Sequence, residues 1–134
     1  MNELLLDTDT ISFFLRNQPE VMSNASGYLK FHKGFTFSII THFEILRGLM
    51  VKNAQRQITN FGLICLQSRE INLTSEIINR ASEIYADLYK RGQLIGDADI
   101  LIVATALENN LSVVTNNESH FNRISGLQIL NWNR

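Results

Sequence analysis

The chain opens on Leu4-Leu5-Leu6, three apolar residues in a row that stop at Asp7-Thr8-Asp9. A run that short, without polar alternation, predicts a strand buried on both faces that gives way to a helix beginning near Thr10. Pro19 is placed to open a second helix reaching about Phe31, with Val21, Met22, Ala25 and Leu29 on its apolar side. Lys33-Gly34 makes a turn, and Phe35-Thr36-Phe37 starts another short strand. Over residues 39–52, Ile40, Phe43, Leu46 and Met50 recur at three- and four-residue steps, the spacing of an amphipathic helix. Residues 55–66 read as a further helix and Glu70-Ile71-Asn72 as a strand. Thr74 then offers an N-cap for a long helix to Arg91, which Gly92 ends. Asp97 is expected to cap the next helix, whose residues 100–107 are almost wholly apolar and so buried all round. Asn109-Asn110 ends it. A strand over 112–115, a short helix over 119–124 and a last strand over 127–130 complete the pattern.

Strands separated by helices in this way call for an α/β fold, a parallel sheet flanked by helices on both faces. The 134 residues fit one domain spanning 1–134, and 45% apolar residues supply its core. A single proline and seven glycines leave no linker or low-complexity segment. The formal charge of -1 is no footprint for polyphosphate, so any nucleic-acid contact must be local. Cys65 is the one cysteine; it cannot form an internal disulfide, suits a reducing cytoplasm and reads as buried and inert. Asp7 and Asp9 interrupt the apolar N-terminus too early for a signal-peptide core or a membrane span, so a cytoplasmic protein away from the membrane is expected.

The chemistry lies at the ends of the elements. In open parallel sheets the binding crevice lies beyond the carboxyl ends of the strands, and Asp7, Asn116 and Asn117 all follow predicted strands. Asp97 and Asp99 fall at a helix start, where free backbone amides favour anions. Several carboxylates in a partly dry cleft repel one another and lose solvation, a conflict that a divalent cation removes. All these donors are hard oxygens, which favours Mg²⁺ or Mn²⁺ over Zn²⁺. Each position also has a plainer reading. Asp7 can cap the helix after it, and Asp9 suits an Asx or N-cap role with its side chain turned away from Asp7. Glu44 can edge a solvated face beside Arg47, and Asn117 can form an Asx turn. His32, His42 and His120 are isolated in sequence and show no ligand spacing, and Lys30, Lys33, Arg47, Lys52 and Arg56 read as solvated surface. Phe13, Phe14, Tyr85 and Leu88 are candidates for an apolar surface awaiting a partner.

Four segments together resemble PIN-domain ribonucleases of the VapC toxin type. Residues 4–12, LLLDTDTIS, resemble the opening motif, and residues 40–48, ITHFEILRG, resemble the second, with its acidic residue four before a glycine. Residues 95–106, IGDADILIVATA, resemble the third, and Val113-Val114-Thr115-Asn116-Asn117 with Phe121 resembles the fourth. Carried over by position, Asp7, Glu44 and Asp99 take the three acidic places, Asp97 an accessory acidic place, and Asn117 a place where some members have Asp. This chain departs from the usual pattern with Asp9 in place of Asn and Val103 in place of Ala.

The resemblance implies a three-layer α/β/α sandwich with a central parallel sheet. It implies a Mg²⁺- or Mn²⁺-dependent endoribonuclease acting on RNA, often tRNA, as the toxin of a type II toxin–antitoxin pair. A VapB-like antitoxin would be the partner, and a homodimer the usual assembly. On this reading Asp7, Asp99 and Glu44 hold the metal, while Asp97 and Asn117 orient water or a second ion. Two rivals stay open. One is a phosphatase of the haloacid dehalogenase type, since residues 4–11 also read as apolar residues followed by D-x-D, although Lys90 stands only seven residues before Asp97. The other is a non-catalytic interaction module that keeps the fold and its acidic pocket.

Overall fold

In the computed structural model, which describes residues 1–134, β1 (Leu4–Leu6) is the central strand. It pairs in parallel with β2 (Thr36–Ser38) on one side and with β4 (Ser112–Val114) on the other. β3 (Arg69–Ile71) lies outside β2, and β5 (Ile129–Leu130) outside β4, giving the all-parallel order β3-β2-β1-β4-β5.

Side chains alternate across this sheet, and the two faces serve two cores. Leu5 and Val113 enter one cluster with Ile77 and Leu88 of α5 (Ser75–Lys90), Ile102 and Val103 of α6 (Asp97–Glu108), and Phe121 of α7 (Glu118–Phe121). Leu6, Phe37 and Val114 enter the other, with Ile11 of α1 (Thr8–Leu15), Val21 and Tyr28 of α2 (Pro19–Tyr28), Ile45 of α3 (Ile39–Val51) and Phe61 of α4 (Gln55–Gln67). With both faces covered, the central strands can be apolar throughout, and each fully buried leucine contributes about 1.5–3 kcal/mol. The result is the expected three-layer α/β/α sandwich with a parallel sheet.

The chain builds outward from β1 through β2 to β3, then crosses back to place β4 on the other side of β1. β1 and β4 therefore flank the point where the strand order reverses, where α/β sheets form their crevice. Asparagines with positive φ follow α1, α3 and α6 (Asn17, Asn53 and Asn110), serving the left-handed turn that Gly92 serves after α5.

Several boundaries differ from the sequence pattern. α1 begins at Thr8, because Asp7 itself is its N-cap, accepting from the Thr8 amide at 2.8 Å. The N-cap of α6 is Gly96, and Asp97 is its first helical residue. Leu88 lies fully inside the core and is no surface residue; Tyr85 alone of that group is exposed, at 43%.

Gly34 marks the tightest backbone approach. A Cβ there would stand 2.0 Å from the carbonyl oxygen of Gln67, the last residue of α4, and 2.6 Å from its carbonyl carbon. Both atoms are backbone, so neither a rotamer change nor a side-chain shift relieves the overlap. Gly34→Ala is expected to destabilise the protein by about 1–3 kcal/mol, seen as a lower urea midpoint at unchanged slope. A wild-type midpoint would show that α4 ends elsewhere.

Candidate active site

The site is built from strand ends inward. The backbone amide of Asp7 still belongs to the sheet, donating to the Val114 carbonyl at 2.9 Å, so its side chain is the first group past the carboxyl end of β1. That side chain is only 4% exposed. One oxygen caps α1, and Oδ2 accepts from the Thr115 hydroxyl at 2.8 Å, just past β4. Thr115 Oγ1 also accepts from the Asn117 amide at 3.0 Å, which shapes the turn after β4.

Glu44 arrives from α3. Its Oε1 accepts from the Thr8 hydroxyl at 2.7 Å, and Thr8 Oγ1 also lies 3.0 Å from Thr41 Oγ1. Thr8 thus holds two acids through different atoms: its amide binds Asp7 and its hydroxyl binds Glu44. Glu44 Oε2 lies 3.6 Å from Arg47 Nη2, the i, i+3 pair foreseen on this helix. Asp99 arrives from the first turn of α6, with the helix N-terminus beneath it. His120 of α7 approaches it, Nδ1 to Oδ2 4.0 Å, while Asn117 Nδ2 lies 2.9 Å from the same ring nitrogen.

The electrostatics record how closely these acids are gathered. Burial, reinforced by the charge of Asp9 and more weakly by that of Asp99, pushes the Asp7 carboxyl up to about 8, against the pull of hydrogen bonds from Thr115 and Thr8. Burial also raises Asp9 above the usual carboxylate range, while the Asn116 amide donates to its Oδ2 at 3.1 Å. Asp99 is raised by burial and then by Glu44, with His120 pulling the other way. Asp9 lies close enough for its charge to act on Asp7, so it does not turn away from Asp7 as expected.

The structure therefore brings together Asp7, Glu44 and Asp99, adds Asp9, and sets Asn117 with His120 at the edge. Asp97 is exposed on the other side of the first turn of α6, lining a cleft with Tyr85, Ile78 and Leu101. Thr8, Thr115 and His120 were not singled out from sequence. The two threonines were detectable as hydroxyls directly after strands. His120 carried no such signal, because its neighbour Asp99 is far away in the chain.

The donors are all oxygens, and burial with mutual repulsion penalises charge on Asp7, Asp9 and Asp99, a penalty that a divalent cation would offset, so the residues fit a hard metal ion. No three of the carboxylates place oxygens within 4.8 Å of one another. That spacing suits Mg²⁺, which keeps several of its waters and takes one or two carboxylates directly. Beside Thr8 and Glu44 a cleft of about 150 Å³ extends past Ser12 to Gln57, with Arg16 and Lys52 on its walls.

A strand-end cluster of acids at the switch point of a parallel sheet defines a class of hard-metal hydrolytic site. The PIN domain model matches residues 4–127. Ribonuclease VapC1 of Methanocaldococcus jannaschii is 34% identical over 96% of this chain and 87% of its own. The tRNA(fMet)-specific endonuclease VapC of Salmonella typhimurium is 27% identical over 98% of this chain and 99% of its own. The solved structure of DNA-bound VapBC from Salmonella typhimurium superposes with a TM-score of 0.86 at 28% identity, covering 98% of this chain and 99% of that one. The chain belongs to the PIN domain family, and within that family it sides with the VapC ribonucleases. The phosphatase and the non-catalytic module are not favoured; Lys90, the lysine weighed for the former, is an exposed residue at the end of α5.

The raised acids make stability depend on pH. In the unfolded chain Asp7 titrates near 3.8 and in the folded protein near 8, so between those values the native state keeps a proton that the unfolded state has released. Metal-free protein should therefore lose stability as pH rises through that window, by up to about 1.4 kcal/mol per pH unit for a single group. Asp7→Asn should flatten the slope, and a divalent cation should do the same for the wild type. Urea unfolding in chelator at pH 5 and pH 8 measures it; equal or greater stability of the wild type at pH 8 contradicts the burial described here.

Proposed function

We propose that this chain is an endoribonuclease that hydrolyses RNA phosphodiester bonds with Mg²⁺ or Mn²⁺, as the toxin of a VapBC-type pair, with tRNA as its substrate class. The observation that carries the reading is the gathering of Asp7, Glu44 and Asp99 beyond the carboxyl end of β1, Asp7 and Glu44 joined through Thr8 and Asp99 near enough to feel the Glu44 charge. The VapC relatives, one named for its action on a tRNA, support the substrate.

Asp7 and Asp99 would hold the metal, with Glu44 completing the set. A divalent ion in such a site lowers the pKa of a water and offsets charge on a phosphorane-like transition state. The chain's own groups do the rest. The Thr115 hydroxyl and the Thr8 amide fix Asp7, so its carboxylate does not swing away when it loses its proton. The Thr8 hydroxyl holds Glu44 Oε1, while Oε2 faces Arg47 Nη2 at 3.6 Å. Asn117 takes the outer place, orienting water or a second ion through the amide it shares with His120, while Asp97 faces the α5 cleft, away from these acids. Arg16 and Lys52 give the cleft a cationic wall against which an RNA phosphate can lie.

A VapB-like antitoxin is the partner; exposed Phe43, Met50 and Val51 on α3, with Leu63 and Leu66 on α4, offer it apolar contact. A homodimer is proposed through the exposed stacked pair Tyr85 and Tyr89 on α5. No helix is long and apolar enough to cross a membrane, and action in the cytoplasm belongs to this proposal.

Asp7→Asn and Asp99→Asn should each lower RNA cleavage in Mg²⁺ by on the order of a hundred- to a thousandfold while the circular dichroism stays that of the wild type. Glu44→Gln should cost less, and Asp97→Asn least. Cleavage of a tRNA substrate by folded Asp99→Asn protein at the wild-type rate would end this reading.

A further inference from the structure

A second group of ligand-type side chains lies away from the acids already described. His42 on α3, Cys65 in the last turn of α4 and Glu70 in β3 place one donor atom each within 4.8 Å of one another. They are the only such trio of histidine, cysteine, aspartate and glutamate donors in the protein. His42 Nδ1 and Glu70 Oε1 are in direct contact, and the Cys65 sulfur lies within 4.8 Å of both.

The fold explains why they meet. Glu70 is the register partner of Phe37, so it faces the layer of α1 to α4 and not the α5–α6 side. On α3, residues 42 and 44 are about 200° apart around the axis, so His42 turns toward α4 and β3 while Glu44 turns toward Thr8 and α1. The Phe61 ring meets the imidazole edge-on, centroids 5.4 Å apart, and limits its rotation. The site is also open: the His42 and Glu70 side chains are 32% and 25% exposed, and Cys65 is half-buried, not sealed in the core as its apolar sequence context suggested.

From this arrangement we infer that His42, Cys65 and Glu70 form a binding site for a borderline-soft transition-metal ion, Zn²⁺ being the best fit, with solvent at the fourth position. Donors that share a zinc ion at about 2.0–2.3 Å stand roughly 3.3–3.8 Å apart, within reach of small side-chain adjustments here. One imidazole nitrogen, one sulfur and one carboxylate oxygen make the three-ligand set of open tetrahedral zinc sites, and sulfur disfavours Mg²⁺. Binding displaces the thiol proton to solvent. The resulting thiolate and the Glu70 carboxylate then offset the two charges of the ion. In the metal-free protein burial, with the Glu70 charge beside it, pushes the thiol up to about 12.

Because Cys65 is the only cysteine, a thiolate-to-cobalt charge-transfer band reports this site alone, whatever binds at the acids. Titrating the full-length wild-type protein with Co²⁺ should raise that band to saturation at one equivalent. Zn²⁺ should abolish it, and a large excess of Mg²⁺ should leave it unchanged. His42→Ala and Glu70→Gln, checked for folding by circular dichroism, should each weaken Co²⁺ binding at least about tenfold. A folded wild-type protein that gives no such band overturns the site. So does a band of unchanged affinity in both variants, because the cysteine would then bind without its neighbours.

Discussion

Everything at the candidate active site follows from one costly placement: a carboxylate that water barely reaches. Asp7 ends the central strand, is 4% exposed, and has Asp9 and Asp99 close enough to raise it further. A lone ionised carboxylate in such a place would cost several kcal/mol. The protein meets part of that cost with the Thr8 amide and the Thr115 hydroxyl, and the remainder appears as a retained proton. The same deficit of positive charge that makes Asp7 hold its proton is what the proposed divalent cation would offset. Stability and ligand binding at this point are two readings of one electrostatic imbalance.

That placement depends on topology. Asp7 is dry because β1 is paired on both sides and covered on both faces, which requires the chain to leave β3 at one side of the sheet and return at β4 on the other. The crossover through α5 and α6 carries Asp99 to the switch point, and the turn after β4 carries Thr115 and Asn117. α3 contributes Glu44 from the opposite layer, so three acids far apart in the chain approach one another beyond β1 without sharing an element.

Much of this was legible in the residues. The apolar run of β1 and the stripe of α3 follow directly from periodicity, as does the all-apolar stretch of α6, because burial on two faces leaves no room for polar alternation. Boundaries were less legible where one residue serves two purposes. Asp7 is both the N-cap of α1 and the central acid, so the helix starts two residues before its apolar pattern does. Gly96 caps α6 by conformation alone, which left Asp97 looking like the cap. The place of Asp9 was not legible because the Asn116 amide that holds its Oδ2 reaches it only through β1–β4 pairing. His42 and Cys65 looked isolated for the same reason: their common partner, Glu70, reaches them through the register of β2 with β3.

The two clusters on α3 show how a single helix keeps two chemistries apart. Its 3.6-residue period sends Glu44 to the oxygen-rich crevice and His42 to a nitrogen and sulfur corner, with only Phe43 between them in sequence. Separation of the donors by type matters more than separation by distance. Divalent first-row ions rank by affinity in nearly the same order at any one site, so a protein discriminates among them through ligand softness and geometry. An all-carboxylate crevice with widely spaced oxygens leaves room for the waters that Mg²⁺ retains, whereas a tight sulfur-containing trio does not.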